Sequence, residues 1–351
     1  MTHHTTPLPV HGTVALRARW EEWMSELVAD PQQVSRLTSE YGSPVNVLNP
    51  APLGRNAQEL LDAGASHGVD TQVFFARKAN KALCFVDAAR EAGLGVDVAS
   101  ENELRQVLNR GVAPERIILS AAIKTDALLR LAIDRGVTIS CDSRAEAERI
   151  AALAKALNHT AHVAPRLAPN PDNLPPTRFG ELLHSWQSHA WPETIHADGV
   201  HVHLHGYSES DRRTALAEAI ALVEHLRLVG QPASFIDIGG GVPMSYLESR
   251  EQWEYFQERI AAQRAGTGEP FTWKSDPPIP SGRRPPAANG WTTCFLVRWP
   301  GLAPPAVPCG SGIFLFTWSR GVACSMAAAS SSPRSASSKS APTACLSSAQ
   351  I

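Results

Sequence analysis

The amino-acid sequence predicts an α/β protein whose body is a (β/α)8, TIM-like barrel. Three observations carry that expectation. Short apolar runs alternate with helical stretches from about residue 43 to 265, the runs number eight, and the helices between them carry start and stop signals. Such alternation means βαβ units and a parallel sheet. Eight runs favour a closed barrel over an open doubly wound sheet.

The elements follow in order. SPVNVL (43–48) reads as a strand and LGRNAQELLDAGASHG as the helix after it. QVFFARKA, GVDVAS, RIILSA, TISCDS, HVAPRL, GVHVHLH and FIDIGGG supply seven more strands. Helices fall between them in KALCFVDAAREAG, ENELRQVLNRG, TDALLRLAIDRG, RAEAERIAALAKAL and DRRTALAEAIALVEHLRLVG, with YLESREQWEYFQERIAAQR as the last. Ser100-x-x-Glu103 and Ser143-x-x-Glu146 have capping-box spacing, which starts two helices just after GVDVAS and TISCDS. Gly93, Gly111 and Gly136 stand where helices should stop, because glycine takes the left-handed C-terminal position without a Cβ penalty.

The expected organisation is an N-terminal segment (1–40), the barrel (41–265) and a tail (277–351). The tail is set apart by composition. All 34 acidic residues precede Pro277, and four of the six cysteines follow it. Its apolar fragments CFLVRW and GIFLFTW have no evident partners, and it ends in a Ser/Ala-rich stretch. Low complexity points to disorder, whereas the tryptophans and cysteines point to a reading-frame change near Asp276. The formal net charge is −2 overall and −8 for the part before the tail. That balance gives no reason to expect nucleic acid or a membrane as partner. No run has the length of a transmembrane span and no signal peptide is recognisable, so a cytoplasmic protein is expected.

In a barrel the site lies at the C-terminal strand ends. Lys78 ends QVFFARKA, Asp97 lies in GVDVAS, and Asp142 closes TISCDS. Arg166 ends HVAPRL, His203 and His205 end GVHVHLH, and Gly239, Gly240 and Gly241 end FIDIGGG. A glycine triplet between strand and helix offers backbone N–H groups to a phosphate, or is simply a tight turn. Met244 occupies the third glycine position of a dinucleotide fingerprint, which disfavours that ligand. His201, His203 and His205 share a strand face, but neighbours at about 6.6 Å are too far apart for all three to hold one ion. Two of them with a distant carboxylate could hold a metal, but none is expected; the other readings are histidines hydrogen-bonded inside the barrel or one lying against an aromatic cofactor. Lys78 is a solvated loop lysine or an amine for an aldehyde cofactor. Lys81 is expected on the next helix, facing solvent. Arg166 grips an anion or pairs internally with an acid.

Taken together, these stretches resemble the pyridoxal-phosphate-dependent decarboxylases with an alanine-racemase-type barrel, the diaminopimelate, ornithine and arginine decarboxylases. ARKAN is similar to their Y-A-x-K-A-N, and GLGVDVASENEL to G-x-G-x-D-x-x-S-x-x-E-L. RFG (178–180) resembles K-F-G, GVHVHLHGYS resembles G-L-H-x-H-I-G-S, and FIDIGGG resembles L-D-I-G-G-G. The likeness runs in order from about residue 43 to 243. It implies pyridoxal 5′-phosphate as cofactor, an amino acid as substrate, and Lys78 as the Schiff-base lysine. It also implies His203 stacked on the pyridine ring, Gly239, Gly240 and Gly241 on the phosphate, and Asp97 and Arg166 as polar support near the cofactor.

Two departures stand out. One extra residue precedes Ser208, which puts its contact to the phosphate in question. Where the family has E-P-G-R, whose acid serves the pyridine nitrogen and whose strand is a candidate to close the barrel, this chain reads Glu269-Pro270-Phe271-Thr272. The acid-free tail stands in place of the family's C-terminal β domain, through which its homodimers form. The expectation is therefore a decarboxylase by descent with impaired turnover, the alternatives being a non-catalytic single-domain binder of the cofactor or an amino-acid racemase.

Overall fold

The computed structural model describes residues 16–206, 208–240 and 246–267, together with the strands at 313–318 and 343–345. Its chain divides into two compact units, Met1–Leu37 with Pro243–Ala287 and Thr38–Val242 with Ala288–Ile351.

In the first unit, α1 (Glu22–Ala29) buries Met24 and Leu27. Residues 17–19 run antiparallel to residues 246–248, with Arg19 N–H donating to Tyr246 O at 2.8 Å and Glu248 N–H to Arg17 O at 3.0 Å. The last described helix, here named αC (Arg250–Arg264), is capped by Ser249. Its buried side chains Trp253, Phe256 and Ile260 sit one helical turn apart and cluster with Leu247. That spacing is the apolar stripe of an amphipathic helix.

The second unit holds the barrel. Its strands in chain order are β1 (Asn46–Leu48), β2 (Asp70–Ala76), β3 (Gly95–Val98), β4 (Ile117–Leu119), β5 (Thr138–Cys141), β6 (Ala161–Leu167), β7 (Ile195–Ala197), β8 (Gly199–Val202), β9 (Phe235–Asp237), β10 (Ile313–Trp318) and β11 (Thr343–Cys345). All the pairings between these strands are parallel. The ring runs β5-β4-β3-β2-β10-β9-β8-β6, and β5 pairs with β6 to close it. β7 leads into β8 beside the start of β6.

Two strand expectations change. SPVNVL contributes no barrel strand: β1 pairs with β11 in a separate two-stranded sheet. The reason is that β2 has only two edges, and β3 and β10 fill them. Conversely GIFLFTW, expected to be without partners, supplies β10, seated between β2 and β9. The rest of the tail lies outside the described residues.

Helices cover the outer face in the expected places: α3 (Pro52–Ala65), α4 (Leu83–Glu91), α5 (Glu101–Asn109), α6 (Asp126–Arg135), α7 (Arg144–Leu157) and α9 (Glu209–Leu228). Between α1 and α3 lies α2 (Pro31–Tyr41), and the short α8 (Leu183–Gln187) precedes β7. The three stop glycines are left-handed, at φ +67° for Gly93, +76° for Gly111 and +68° for Gly136. No described helix is long and apolar enough to cross a membrane.

The interior is layered. Phe74 (β2), Ile118 (β4), Ala164 (β6) and Phe235 (β9) form one buried cluster, one residue from every second strand of the ring. That is the four-residue layer by which such barrels fill themselves. On the strands between, a Cβ on Gly95 would lie 2.3 Å from the Phe74 ring, and one on Gly199 would lie 2.4 Å from the Phe235 ring. Glycine at those two positions makes room for two phenylalanines. Because strand side chains alternate, the next inward residues are two positions on.

Candidate active site

The rung above the apolar layer is polar. Asp97, Ser140, Arg166, His201 and Asp237 are all buried. They lie two residues beyond Gly95, Thr138, Ala164, Gly199 and Phe235, so the strand period that sets the Phe layer also gathers these groups. Ser140 and His201 share a hydrogen bond of 2.5 Å between Oγ and Nδ1. Burial and then the cations around it, Arg166 first, push the His201 imidazole well below its ordinary range. It is a neutral, satisfied barrel histidine.

Lys78 follows β2 by two residues. Its amine lies 3.5 Å from Asp97 Oδ2, with 46% of the lysine side chain exposed and 1% of the aspartate's. A half-open amine thus stands over a closed carboxylate. Burial raises the Asp97 carboxyl, and the Lys78 ammonium opposes that shift. Asp97 Oδ1 makes no hydrogen bond among the described residues.

Lys81 is exposed, as expected, but does not lie on the helix. It precedes α4, which begins at Leu83, and pairs with Glu103. Glu103 Oε2 also accepts from Ala99 N–H at 2.8 Å, one residue before the Ser100 cap. The same arrangement recurs two strands on. Lys124 donates to Glu146 Oε2 at 2.8 Å, and Glu146 Oε2 accepts from Asp142 N–H at 2.9 Å, one residue before the Ser143 cap. Both capping boxes therefore also anchor a lysine from the preceding strand–helix loop.

Arg166 is held from several sides. Its Nη1 donates to Asp142 Oδ1 at 3.3 Å, and its guanidinium lies 4.6 Å over the Phe179 ring. Its carbonyl accepts from Glu181 N–H at 3.0 Å and from the indole N–H of the fully buried Trp186 at 2.9 Å. Gly180, at φ +80°, is required there, since a Cβ would stand 2.5 Å from Arg166 O. The internal acid pair weighed for Arg166 is present.

His203 follows β8 directly. Burial, and after it the charges of Lys78, Arg166 and Arg212, lower its imidazole to about 4. Gly239, at φ +70°, packs against it so closely that a Cβ would lie 2.5 Å from His203 Nδ1. The glycine turn and the imidazole are thus one contact surface. Gly240 O accepts from Arg212 Nη2 at 2.9 Å, and Ile238 O from Arg212 Nη1 at 3.4 Å. Gly241 lies outside the described residues. Ser208 caps α9 by accepting from Asp211 N–H.

A cavity of about 420 Å³ opens beside this rung, lined by Arg166, Phe179, His203, His205 and Asp211 among others. Lys78 does not line it. It joins the group through Asp97 and through its charge on His203.

Two residues of the site escaped the sequence reading. Asp237 sits on β9 with Oδ1 accepting from Gly239 N–H at 2.8 Å, while Oδ2 makes no hydrogen bond among the described residues. Its signal was available: an acid in an apolar strand, on the same face as Phe235 and Gly239. Arg212 had none, being one of two adjacent arginines in the first turns of a helix.

Asp237 also sets a pH dependence. Burial, and then repulsion from Asp97, raise its carboxyl to about 7 against the opposing Gly239 hydrogen bond. The folded chain then holds a proton that the unfolded chain has lost, so this contribution to stability is present below the ordinary carboxylate range and is lost as pH rises to about 7. His203 acts in the opposite sense, contributing above its ordinary 6.5 and losing that contribution as pH falls to about 4. Asp237→Asn keeps the acceptor for Gly239 and removes only the first effect. Its stability should climb more steeply than wild type from about pH 4 to about pH 7 in urea unfolding. Parallel curves would refute this.

Comparison with known proteins agrees with the geometry. The family profile described as "Pyridoxal-dependent decarboxylase, pyridoxal binding domain" matches residues 55–279, more than half of the chain. An uncharacterized protein, y4yA, from Sinorhizobium fredii is 31% identical over 229 residues, covering 64% of this chain and 49% of its own length. The diaminopimelate decarboxylase of Zymomonas mobilis is 28% identical over 235 residues, covering 62% of this chain and 55% of its own. The chain spans about half the length of these curated relatives. Among solved structures, a diaminopimelate decarboxylase from M. jannaschii superposes with a TM-score of 0.56 at 20% identity, over 81% of this chain and 62% of that one, a likeness of fold. With an eight-stranded ring, a polar rung within it and a profile match that covers that rung and seven of the eight ring strands, the chain belongs to the pyridoxal-binding domain family of the pyridoxal-dependent decarboxylases.

Proposed function

We propose that Lys78 holds pyridoxal 5′-phosphate at the C-terminal end of the barrel, and that the site serves decarboxylation of an amino acid of the diaminopimelate, ornithine or arginine class. The observation that carries the reading is the Lys78 amine, half open to solvent and 3.5 Å from a fully buried aspartate. The curated relatives named diaminopimelate decarboxylase support the substrate class.

The residues present fit the cofactor. Buried Asp97 and Asp237 each retain an oxygen without a hydrogen bond among the described residues, and Gly239 puts no Cβ against His203. When bound, pyridoxal phosphate supplies an electron sink for the bond that breaks at the substrate Cα. The chain's own residues do the rest. Asp97 fixes the Lys78 amine and balances its charge. His203, neutral above about pH 4, presents a flat ring without a competing charge. Gly239 and Gly240, with Gly241, are assigned the phosphate, their turn tied down by Asp237 and Arg212. Arg166 brings a guanidinium to the cavity wall for an anionic group.

Turnover is the finer part of the proposal. Glu269-Pro270-Phe271-Thr272 replaces the E-P-G-R that the resemblance calls for, which favours impaired decarboxylation, with cofactor binding alone as the second reading. The test is to incubate the purified chain with pyridoxal phosphate, reduce with borohydride and map the modified peptide by mass. A pyridoxyl group on Lys78 is expected. Carbon dioxide release from a basic amino acid or diaminopimelate then separates the two readings. A folded chain that carries no adduct overturns both.

A further inference from the structure

The opposite end of the barrel carries a second constellation. β6 and β7 are paired in parallel with His162 directly opposite His196. Directly paired residues on neighbouring strands project to the same face, and so does the residue two positions on. That residue is Asp198. Its carboxylate Oδ2 lies 2.7 Å from His162 Nδ1, and the two imidazoles meet edge to face with centroids 5.8 Å apart. One donor atom from each of the three residues lies within 4.8 Å of the others.

The backbone under this group is fixed. Asp198 N–H donates to Val163 O at 2.9 Å, and Asp198 O accepts from Ser234 N–H at 2.6 Å. A hydrogen-bonded His–Asp pair would account for His162 and Asp198. It does not account for His196, which the strand register sets beside that pair and whose imidazole makes no hydrogen bond among the described residues. His196 is exposed, whereas His162 and Asp198 are half-buried, so the group is open to water on one side.

From this register we infer that His162, His196 and Asp198 form a binding site for a borderline divalent transition ion such as zinc. Two imidazoles and a carboxylate, with water in the remaining position, are a donor set that zinc takes readily. Bonds of about 2.0–2.1 Å place the donors of a tetrahedral ion roughly 3.3 Å apart. To reach that spacing His162 Nδ1 and Asp198 Oδ2 would part from 2.7 Å, giving up their hydrogen bond to the ion, while the exposed His196 closes from within 4.8 Å. Four residues of β6 separate His162 from Arg166, roughly 13 Å of strand, so the ion would lie away from the cofactor end. Its role would be to clip β6 to the β7–β8 strand, raising stability by linkage.

The experiment titrates Zn2+ into the untagged full chain against a chromophoric chelator and follows thermal unfolding alongside. One equivalent should bind and raise Tm. His196→Ala and Asp198→Asn should each weaken binding by at least about 10-fold and remove the rise in Tm. Because His196 is exposed, its variant is expected to fold, which circular dichroism checks. The proposal is overturned if no stoichiometric zinc binds. It is equally overturned if binding survives both variants, or if it disappears instead on replacing His3 and His4, or His205.

Discussion

Lys78→Ala is expected to abolish borohydride-trapped pyridoxal phosphate, because among the described residues no other lysine pairs with the buried Asp97. Any decarboxylase activity should fall by at least the ~10²–10⁴-fold that a single positioned acid–base group supplies. Two controls make the result specific. Lys78→Arg keeps a positive charge near Asp97 but offers no nucleophilic amine, so it too should lose the adduct while preserving the fold. Lys81→Ala removes a lysine three residues away that is engaged with Glu103, and should keep the adduct. Mass mapping reads all three. An adduct retained in a folded Lys78→Ala chain would remove Lys78 from the site.

The second large effect concerns stability. Lys81–Glu103 and Lys124–Glu146 occupy equivalent places two strands apart in the barrel, and they differ in solvent. The Lys81 side chain is 62% exposed and the Lys124 side chain 0%, while each glutamate is 8% exposed. An exposed lysine contributes at most about 1 kcal/mol to such a pair, because water and salt screen it. Removing the cation from a buried pair costs about 3–5 kcal/mol, since the partner is left charged and dry. Arg149 Nη2, 3.7 Å from Glu146 Oε1, softens that loss. Lys124→Ala should therefore destabilise by about 3 kcal/mol and Lys81→Ala by less than about 1. Urea unfolding of both variants tests the contrast. Equal losses would mean that burial does not separate the two pairs.

Much of the site was legible because strand position is a one-dimensional property. A residue at the C-terminal end of a strand in a parallel barrel reaches the site wherever the strand lies in the ring. Lys78, Asp97, Arg166, His203 and the start of the glycine turn could thus be set at strand ends from spacing alone. Asp237 was missed although the same rule applied to it. Its strand was judged by the glycines that end it rather than by the acid within it. The helix caps were equally readable, since Ser-x-x-Glu is a local pattern. That each glutamate would also take a lysine 22 residues earlier was not, because that contact depends on two loops meeting.

What the sequence by itself determined is the alternation, the helix limits, the polar strand ends and the family, all of which rest on periodicities of two and 3.6 residues and on ordered local motifs. What only the tertiary structure decided is which strands fill which edges, which lysine is buried, and which distant groups share a surface. β1 looked like a barrel strand and is not, because β2 already has both edges paired. Arg212, which no local pattern singles out, ties the glycine turn. His162 and His196, 34 residues apart, were unremarkable until the register set them side by side. Pairing across a sheet is a competition among whole strands for a limited number of hydrogen-bonding edges, and no local stretch of sequence records its outcome.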